Sequence, residues 1–509
     1  MQDSRTKNTI RNISAGLFNR FISIILPFIN RTALLWILGA EFTGLASLFV
    51  SILQVLNLAE LGFNTAIVYS LYKPMAENNE KKICEIVSLF KKIYTIVGTT
   101  ILIVGLVIIP FLPLIIKGSY PNTINIYLLY ILYLINSTIS YYLFAYKECL
   151  LIADQRQDIA KNIRTIIEIV RYIIQLVVLL VTKNFYLYVV IAIIGTIITN
   201  ISIEFVTRKK YSFYKEIKKK MKLPKELKKQ VSGLMINKIC DTFRNSFDSV
   251  IISAFIGLTA VTIYGNYFYI YTALYGIMNA ICVSMSASIG NSIVKKSIDD
   301  NYKDFLSFSQ LYAIIIGITT TCLLCTYQPF MKIWVGSKLL LSSFNMILFC
   351  IYYYSVCLNN IRNQYIAGNG MWSKIKSSCI LEAIGNLVLN ILLGKILGIT
   401  GVLLATIITI ILFNYLQRNK IMYDNYFKNK GINVYYKEQL IYLFLTISSC
   451  IIAYYLCSLL SMEGFIKIII NIVCSIIVSC IVFYFAIINM ERYKHTKNIV
   501  NGIMKNIKK

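Results

Sequence analysis

Two arginines, Arg20 and Arg31, interrupt a stretch otherwise apolar enough to cross a bilayer, NRFISIILPFINRTALLWILG (Asn19 to Gly39). Eleven helical steps of 100° return to within 20° of the same face, so the two guanidiniums sit on one side, roughly 16 Å apart along the axis. Asn19 and Asn30 share the spacing, and Pro27 lies between and can bend the helix. Facing lipid, each arginine would cost about 2.5–3.5 kcal/mol, so both are expected to face a polar interior. A guanidinium is a planar, permanently charged fork that suits an anionic, oxygen-rich group.

A second stretch, NKICDTFRNSFDS, places Asn237, Asp241, Arg244 and Asp248 at i, i+4, i+7 and i+11, again on one face, with Lys238 beside them. Its plainest reading is a self-neutralised stripe that makes a buried helix tolerable. The functional reading adds that the stripe faces a cavity. Asn57, Glu60 and Asn64 form a third set at i, i+3 and i+7. Glu168 and Arg171 read as an internal pair, and Glu382 as a buried partner. Glu60, Asp241 and Asp248 are the carboxylates placed to carry H⁺ or Na⁺ coupling. Arg20, Arg31, Lys238, Arg244 and the asparagines Asn19, Asn30, Asn57, Asn64 and Asn237 are the candidate substrate-binding residues.

Catalysis and cofactors find little support. There is no G-x-x-x-x-G-K-[ST] for a nucleotide phosphate. One histidine, His495, sits in a basic tail, so no histidine-rich metal site is expected. The 13 cysteines are scattered, and Cys322-x-x-Cys325 reads as small buried hydrophobes within an apolar helix. The expectation is a protein that binds and moves a substrate, with neither catalytic residue nor cofactor.

The elements that position these charges follow from composition. Of 509 residues, 57% are hydrophobic and only 15% charged, against roughly a quarter charged in a soluble domain. The chain is expected to be an all-α, polytopic membrane protein with about fourteen transmembrane helices. The first runs over about 12–38 and, with no cleavage pattern ahead of it, is taken as retained; the last covers about 464–488. With a cytoplasmic N-terminus, the outer loops hold only Lys117, Lys183 and Lys338, while the cytoplasmic segments carry the basic runs. This positive-inside bias explains the net charge of +28 without nucleic acid. It places both termini in the cytoplasm of a cell-membrane protein. The densest run, Arg208 to Lys229, reads as a cytoplasmic linker at the membrane surface.

A weak duplication runs through the chain. A shift of 218 residues places Asn19-Arg20 on Asn237-Lys238, Gly39 on Gly257 and Tyr94 on Tyr312; a shift of 214 places Glu168 on Glu382 and Asn200 on Asn414. Six spans separate equivalents, so the repeats share one orientation, the parallel arrangement of many alternating-access transporters. The expected organisation is an N-terminal six-helix bundle (1–207), a basic linker (208–230), a second six-helix bundle (231–420) and two extra helices with a basic tail (421–509).

The stretch LGAEFTGLASLFVSILQVLNLAELGFNTAIVYSLYKPMAENN (Leu38 to Asn79), the basic, proline-containing first span and the 6+6+2 count together resemble one family. It is that of the polysaccharide-transport (Wzx-type) flippases in the multidrug/oligosaccharidyl-lipid/polysaccharide exporter (MOP) superfamily. The resemblance implies a MATE-like two-bundle fold. It implies translocation of an undecaprenyl-pyrophosphate-linked oligosaccharide from the inner to the outer leaflet, for capsule, O-antigen or teichoic-type polysaccharide. Polysaccharide polymerase and glycosyltransferases are the partners it suggests. A peptidoglycan lipid II flippase and a multidrug/cation antiporter of the same superfamily are the alternatives. The excess of arginine over glutamate in the first two spans favours an anionic cargo, whereas Asp241 and Asp248 keep the cation reading open.

Overall fold

The structure is a computed structural model that describes residues 22–57, 63–118, 120–216, 225–428, 430–488, 490, 492–493 and 495–497, without the side chains of 63–66, 225–235 and 287. Arg20, Asn19 and Glu60 lie outside the described residues, as does the side chain of Asn64.

Every described element is helical, because apolar runs near 20 residues must satisfy their backbone internally. In chain order they are α1 (Ile22–Ile37), α2 (Ala40–Leu56), α3 (Phe63–Ala76), α4 (Glu80–Ile115), α5 (Ile126–Tyr142), α6 (Ala145–Ala153), α7 (Gln157–Thr182) and α8 (Phe185–Lys210). They continue as α9 (Lys225–Phe255), α10 (Leu258–Lys295), α11 (Ile298–Val335), α12 (Ser343–Gly368), α13 (Lys376–Leu397), α14 (Ile399–Phe427), α15 (Ile432–Ser458) and α16 (Gly464–Ile487). Ten of these are long and apolar enough to span a membrane by themselves, and α5 with α6 makes an eleventh, bent by 47°. The bend falls where Phe144 takes a left-handed φ of 56°. α1 and α2 are apolar but shorter, and α9 carries the charged stripe.

Helix boundaries follow local chemistry. Gly39 and Gly257, equivalent under the 218-residue shift, both have positive φ (105° and 124°) and turn the chain between consecutive helices. Asn79 and Ser297 obey the same shift and play the same part. Asn79 Oδ1 accepts from the Lys82 N–H at 3.0 Å to start α4, and Ser297 Oγ accepts from the Asp300 N–H at 3.1 Å to start α11.

Packing divides the chain into two compact units, Met1–Thr262 and Ile263–Lys509. In the first, α4 and α8 flank α5, and α7 pairs with α8. α9 packs along α2, close to the point where a side chain on Gly44 would collide with the Leu258 carbonyl at the start of α10. The loop residue Lys117 closes the far end of α9. Its N–H donates to the Ser253 carbonyl at 3.0 Å and its Nζ to the Phe255 carbonyl at 2.6 Å. Leu45, Leu48, Phe49, Val87 and Tyr130 lie at the core.

In the second unit α11 is the central element, packed against α12, α15 and α16, while α13 pairs with α14. The two extra helices α15 and α16 thus cover one side of α11. All 13 cysteines are free thiols, and Cys325 packs with Ala453, Cys457 and Val478 as a small apolar side chain. His495 sits against α11, with Nδ1 2.9 Å from Ser307 Oγ.

Candidate functional site

Four groups of charged and amide residues bear on the candidate site, three inside the first unit and one inside the second. On α1, the Arg31 guanidinium donates from Nη1 to Ser47 Oγ of α2 at 3.0 Å. One step round the helix, Asn30 is buried and donates from Nδ2 to the carbonyls of Leu26 (3.3 Å) and Tyr172 (3.4 Å), which ties α1 to α7. Asn57, at the end of α2, accepts from Ser137 Oγ at 3.0 Å and from the Tyr141 hydroxyl at 3.5 Å, both on α5. Asn30 Nδ2 and Asn57 Oδ1 thus join helices, while Asn30 Oδ1 is buried without a hydrogen-bond partner among the described residues and Arg31 lies half-buried between two helices.

The stripe on α9 is self-paired on one side. Asn237 Nδ2 donates to Asp241 Oδ2 at 3.4 Å, and Arg244 Nη1 lies 3.5 Å from Asp241 Oδ1. Arg244 and Asp248 are buried, the Asp241 side chain is 41% exposed and Lys238 is exposed. A gradient along the helix results, from solvated charge at Lys238 and Asp241 to buried charge at Arg244 and Asp248. Ser246 holds this helix to α2 through Gln54 Oε1 at 3.3 Å.

A third group surrounds a small cavity of about 160 Å³ among α5, α7 and α8. Arg164, Glu168 and Arg171 present one face of α7 to it, and Ser140 and Asn200 close it. Arg164 Nη2 also reaches Glu148 Oε2 at 2.8 Å, Asn200 Nδ2 donates to Ser140 Oγ at 3.0 Å, and the Arg171 guanidinium stacks 4.4 Å over the Tyr172 ring. Glu168 and Arg171, expected from their spacing as an internal pair, both line this cavity, but among the described residues no ion pair joins them; Arg164 is a third charge there that their spacing does not reveal.

The fourth group is the most buried. Arg418 Nη2 pairs with Glu382 Oε2 at 2.5 Å, with Arg418 and Glu382 each 2% exposed. Asn414 Nδ2 donates to the same carboxylate at 3.1 Å, and Arg362 donates to Asn359 Oδ1 (2.7 Å), Asn363 Oδ1 (2.8 Å) and Asn414 Oδ1 (2.6 Å). Residues Ile410–Gln417 of α14 are wound as a wide π-helical turn, and Asn414 lies within it. Glu382 was read as a buried partner, and Arg418 is what it pairs with. Arg362 and Arg418 were missed. Arg418 stands at the edge of its span and passes for a flanking charge, and Arg362 lies among asparagines that resemble a loop. An unbalanced arginine inside an apolar segment was the available signal.

These groups hold charge and hydrogen bonds; they present no nucleophile poised beside a base. Among the described residues no cluster of three or more His, Cys, Asp or Glu could hold a metal ion. Such a chain, with described elements all helical, ten or eleven of them able to span a membrane, and arginines retained inside its helix packing, defines a polytopic membrane protein.

The family profile described as "Polysaccharide biosynthesis protein" matches residues 6–288. The chain therefore belongs to the polysaccharide biosynthesis protein family, flippases of the MOP superfamily, as the Leu38–Asn79 stretch suggested. Among solved structures it is similar to the lipid II flippase MurJ in an inward closed conformation, with a TM-score of 0.68 and 17% identity over 94% of this chain and 100% of that one. It is also similar to MOP-superfamily multidrug resistance MATE family transporters. The outward-facing form gives a TM-score of 0.54 at 11% identity, covering 79% of this chain and 94% of that one. The inward-facing form gives 0.53 at 13%, covering 81% and 99%. At these identities the likeness is one of fold. No curated protein matches the chain in sequence.

Proposed function

We propose that the chain flips an undecaprenyl-pyrophosphate-linked oligosaccharide repeat unit from the inner to the outer leaflet of the cell membrane by alternating access. The family carries the reading as far as a MOP flippase. The observation that carries it further is the arginine chemistry of the matched region: Arg31 between α1 and α2, and Arg244 buried on α9. A pyrophosphate brings roughly two negative charges and many acceptor oxygens, and arginine forks answer both. Arg20, Arg31, Lys238 and Arg244 form the proposed ladder of moderate sites, which passes the anion on without trapping it. Asn19, Asn64 and Asn237 would meet the sugars. The lipid tail stays in hydrocarbon throughout, so no catalytic step is needed.

Outward movement of an anion is favoured by about 2.3 kcal/mol per charge per 100 mV when the charge crosses the whole field. Glu60, Asp241 and Asp248 are the groups proposed to couple H⁺ or Na⁺. The deciding experiment is flipping of a fluorescent lipid-linked oligosaccharide in proteoliposomes containing the purified chain. Transport of the oligosaccharide carrier at rates above empty vesicles is expected, and its absence with correctly inserted protein would refute the reading. A second reading, transport of lipid II, is favoured by the likeness to MurJ along the full length of that structure. Lipid II in the same vesicles separates the two.

A further inference from the structure

At the end of the second unit where α16 begins, α11, α15 and α16 surround a cavity of about 590 Å³. Its wall is built for an anion. Lys332, in the last turn of α11, and Lys467, one turn into α16, both line it, and neither has an ion-pair or hydrogen-bond partner among the described residues. The first turn of α16, at Glu463 and Gly464, lies in the same wall, and no side chain caps it. Its leading N–H groups therefore present partial positive charge to the cavity. Glu463 is the one carboxylate against two ammonium groups. Deeper in, Asn471 is 2% exposed; its Nδ2 donates to the Cys325 carbonyl at 2.8 Å, while its Oδ1 accepts from nothing. A buried acceptor left open in a cavity wall calls for a donor brought by an occupant.

The cavity is continuous with an apolar groove of about 800 Å³ along α11, α12 and α15, with which it shares Leu324, Met346, Tyr454 and Ser458. The groove faces outward: Ile347, Ile351, Ile447 and Ile451 line it and are 42–65% exposed. A cationic, hydrogen-bonding head region that opens into a hydrocarbon-lined trough has the polarity profile of an amphiphile. We propose that this surface is a binding site for an anionic phospholipid. The phosphodiester sits on Lys332, Lys467 and the start of α16, a hydroxyl of the lipid donates to Asn471 Oδ1, and the acyl chains lie in the groove. The groove opens to bulk lipid along its length, so the occupant is drawn from the bilayer's own phospholipid. The site is separate from the arginine ladder and does not depend on the cargo.

The test is native mass spectrometry of the purified full chain with phosphatidylglycerol, phosphatidylcholine or undecaprenyl phosphate added in turn. The wild type should retain phosphatidylglycerol roughly ten-fold more strongly than phosphatidylcholine, as two lysines near one phosphate would give. The Lys332→Gln/Lys467→Gln variant should lose that preference with its melting temperature unchanged. Ile447→Trp, which fills the groove and leaves the lysines, should weaken retention too. Equal retention of the two phospholipids overturns the proposal, as does a preference that survives in the lysine variant. Tighter retention of undecaprenyl phosphate than of phosphatidylglycerol would give the site to a polyprenyl carrier instead. Release of phosphatidylglycerol by millimolar inorganic phosphate would reduce it to a simple anion site.

Discussion

At the scale of single residues, the decisive distinction is between arginines paired with carboxylates and amides in the protein and the arginines proposed to hold the cargo. Glu382 is the clearest paired case. It faces Arg418 at 2.5 Å, with Asn414 bridging to Arg362, all buried. Removing the carboxylate strands the Arg418 guanidinium inside the helix packing. Glu382→Ala should lower stability by about 3–5 kcal/mol, read as a large drop in melting temperature of the detergent-purified protein. Glu382→Leu combined with Arg418→Met should recover much of that loss, because the charge left behind goes with its partner. Arg31 is the contrasting case: its Nη1 donates to a neutral hydroxyl, Ser47 Oγ, at 3.0 Å. Arg31→Ala and Arg20→Ala should abolish surface polysaccharide in a complementation assay while membrane abundance stays near wild type. Lysine at either position should restore part of the export, since the charge returns without the fork. Normal export by the alanine variants would make these arginines structural.

At the scale of elements, close helix approach is set by a few side-chain-free positions. A Cβ on Gly44 would fall 2.3 Å from the Leu258 carbonyl, a backbone atom that cannot swing aside. Gly44→Val should push α2 away from the start of α10 and leave little monodisperse protein by fluorescence size-exclusion chromatography. Gly290 is the internal control: it is helical, and a Cβ there meets nothing within 4 Å. Gly290→Ala should leave the elution profile intact and raise stability by about 0.5–1 kcal/mol through lower backbone entropy. The π-helical stretch of α14 matters at the same scale, because its wide turns bring Asn414 within reach of both Glu382 and Arg362.

At the scale of the whole molecule, the basic bias makes a topological prediction. Both termini and the Arg208–Lys229 run should be cytoplasmic. A membrane-impermeant maleimide applied to intact cells should label a cysteine placed at Lys338 and spare one placed at Lys509. The reverse pattern would invert every assignment of inner and outer ends. The same inversion would move the cavity beside Lys332 and Lys467 to the inner leaflet.

The sequence alone determined the membrane class, the helical fold and the position of nearly every span, because hydropathy over 20 residues is a local quantity that the bilayer reads directly. Each of the fourteen expected segments overlaps a described helix, a helix pair or part of one, and among the described residues ten or eleven helices are long and apolar enough to span. Gly39 and Gly257 were legible as repeat equivalents for a similar reason: a turn glycine is a local need. The partners of the charges were a different matter. Period placed Asn30 beside Arg31 and Asn57 in a polar stripe, but it did not show that Asn30 Nδ2 reaches α7 or that Asn57 Oδ1 reaches α5. Arg362, Glu382 and Arg418 come from α12, α13 and α14, spans whose apolar surroundings mark no face as inward. In a helix apolar all round, which side meets protein and which meets lipid is chosen by the neighbours, and only tertiary packing supplies those.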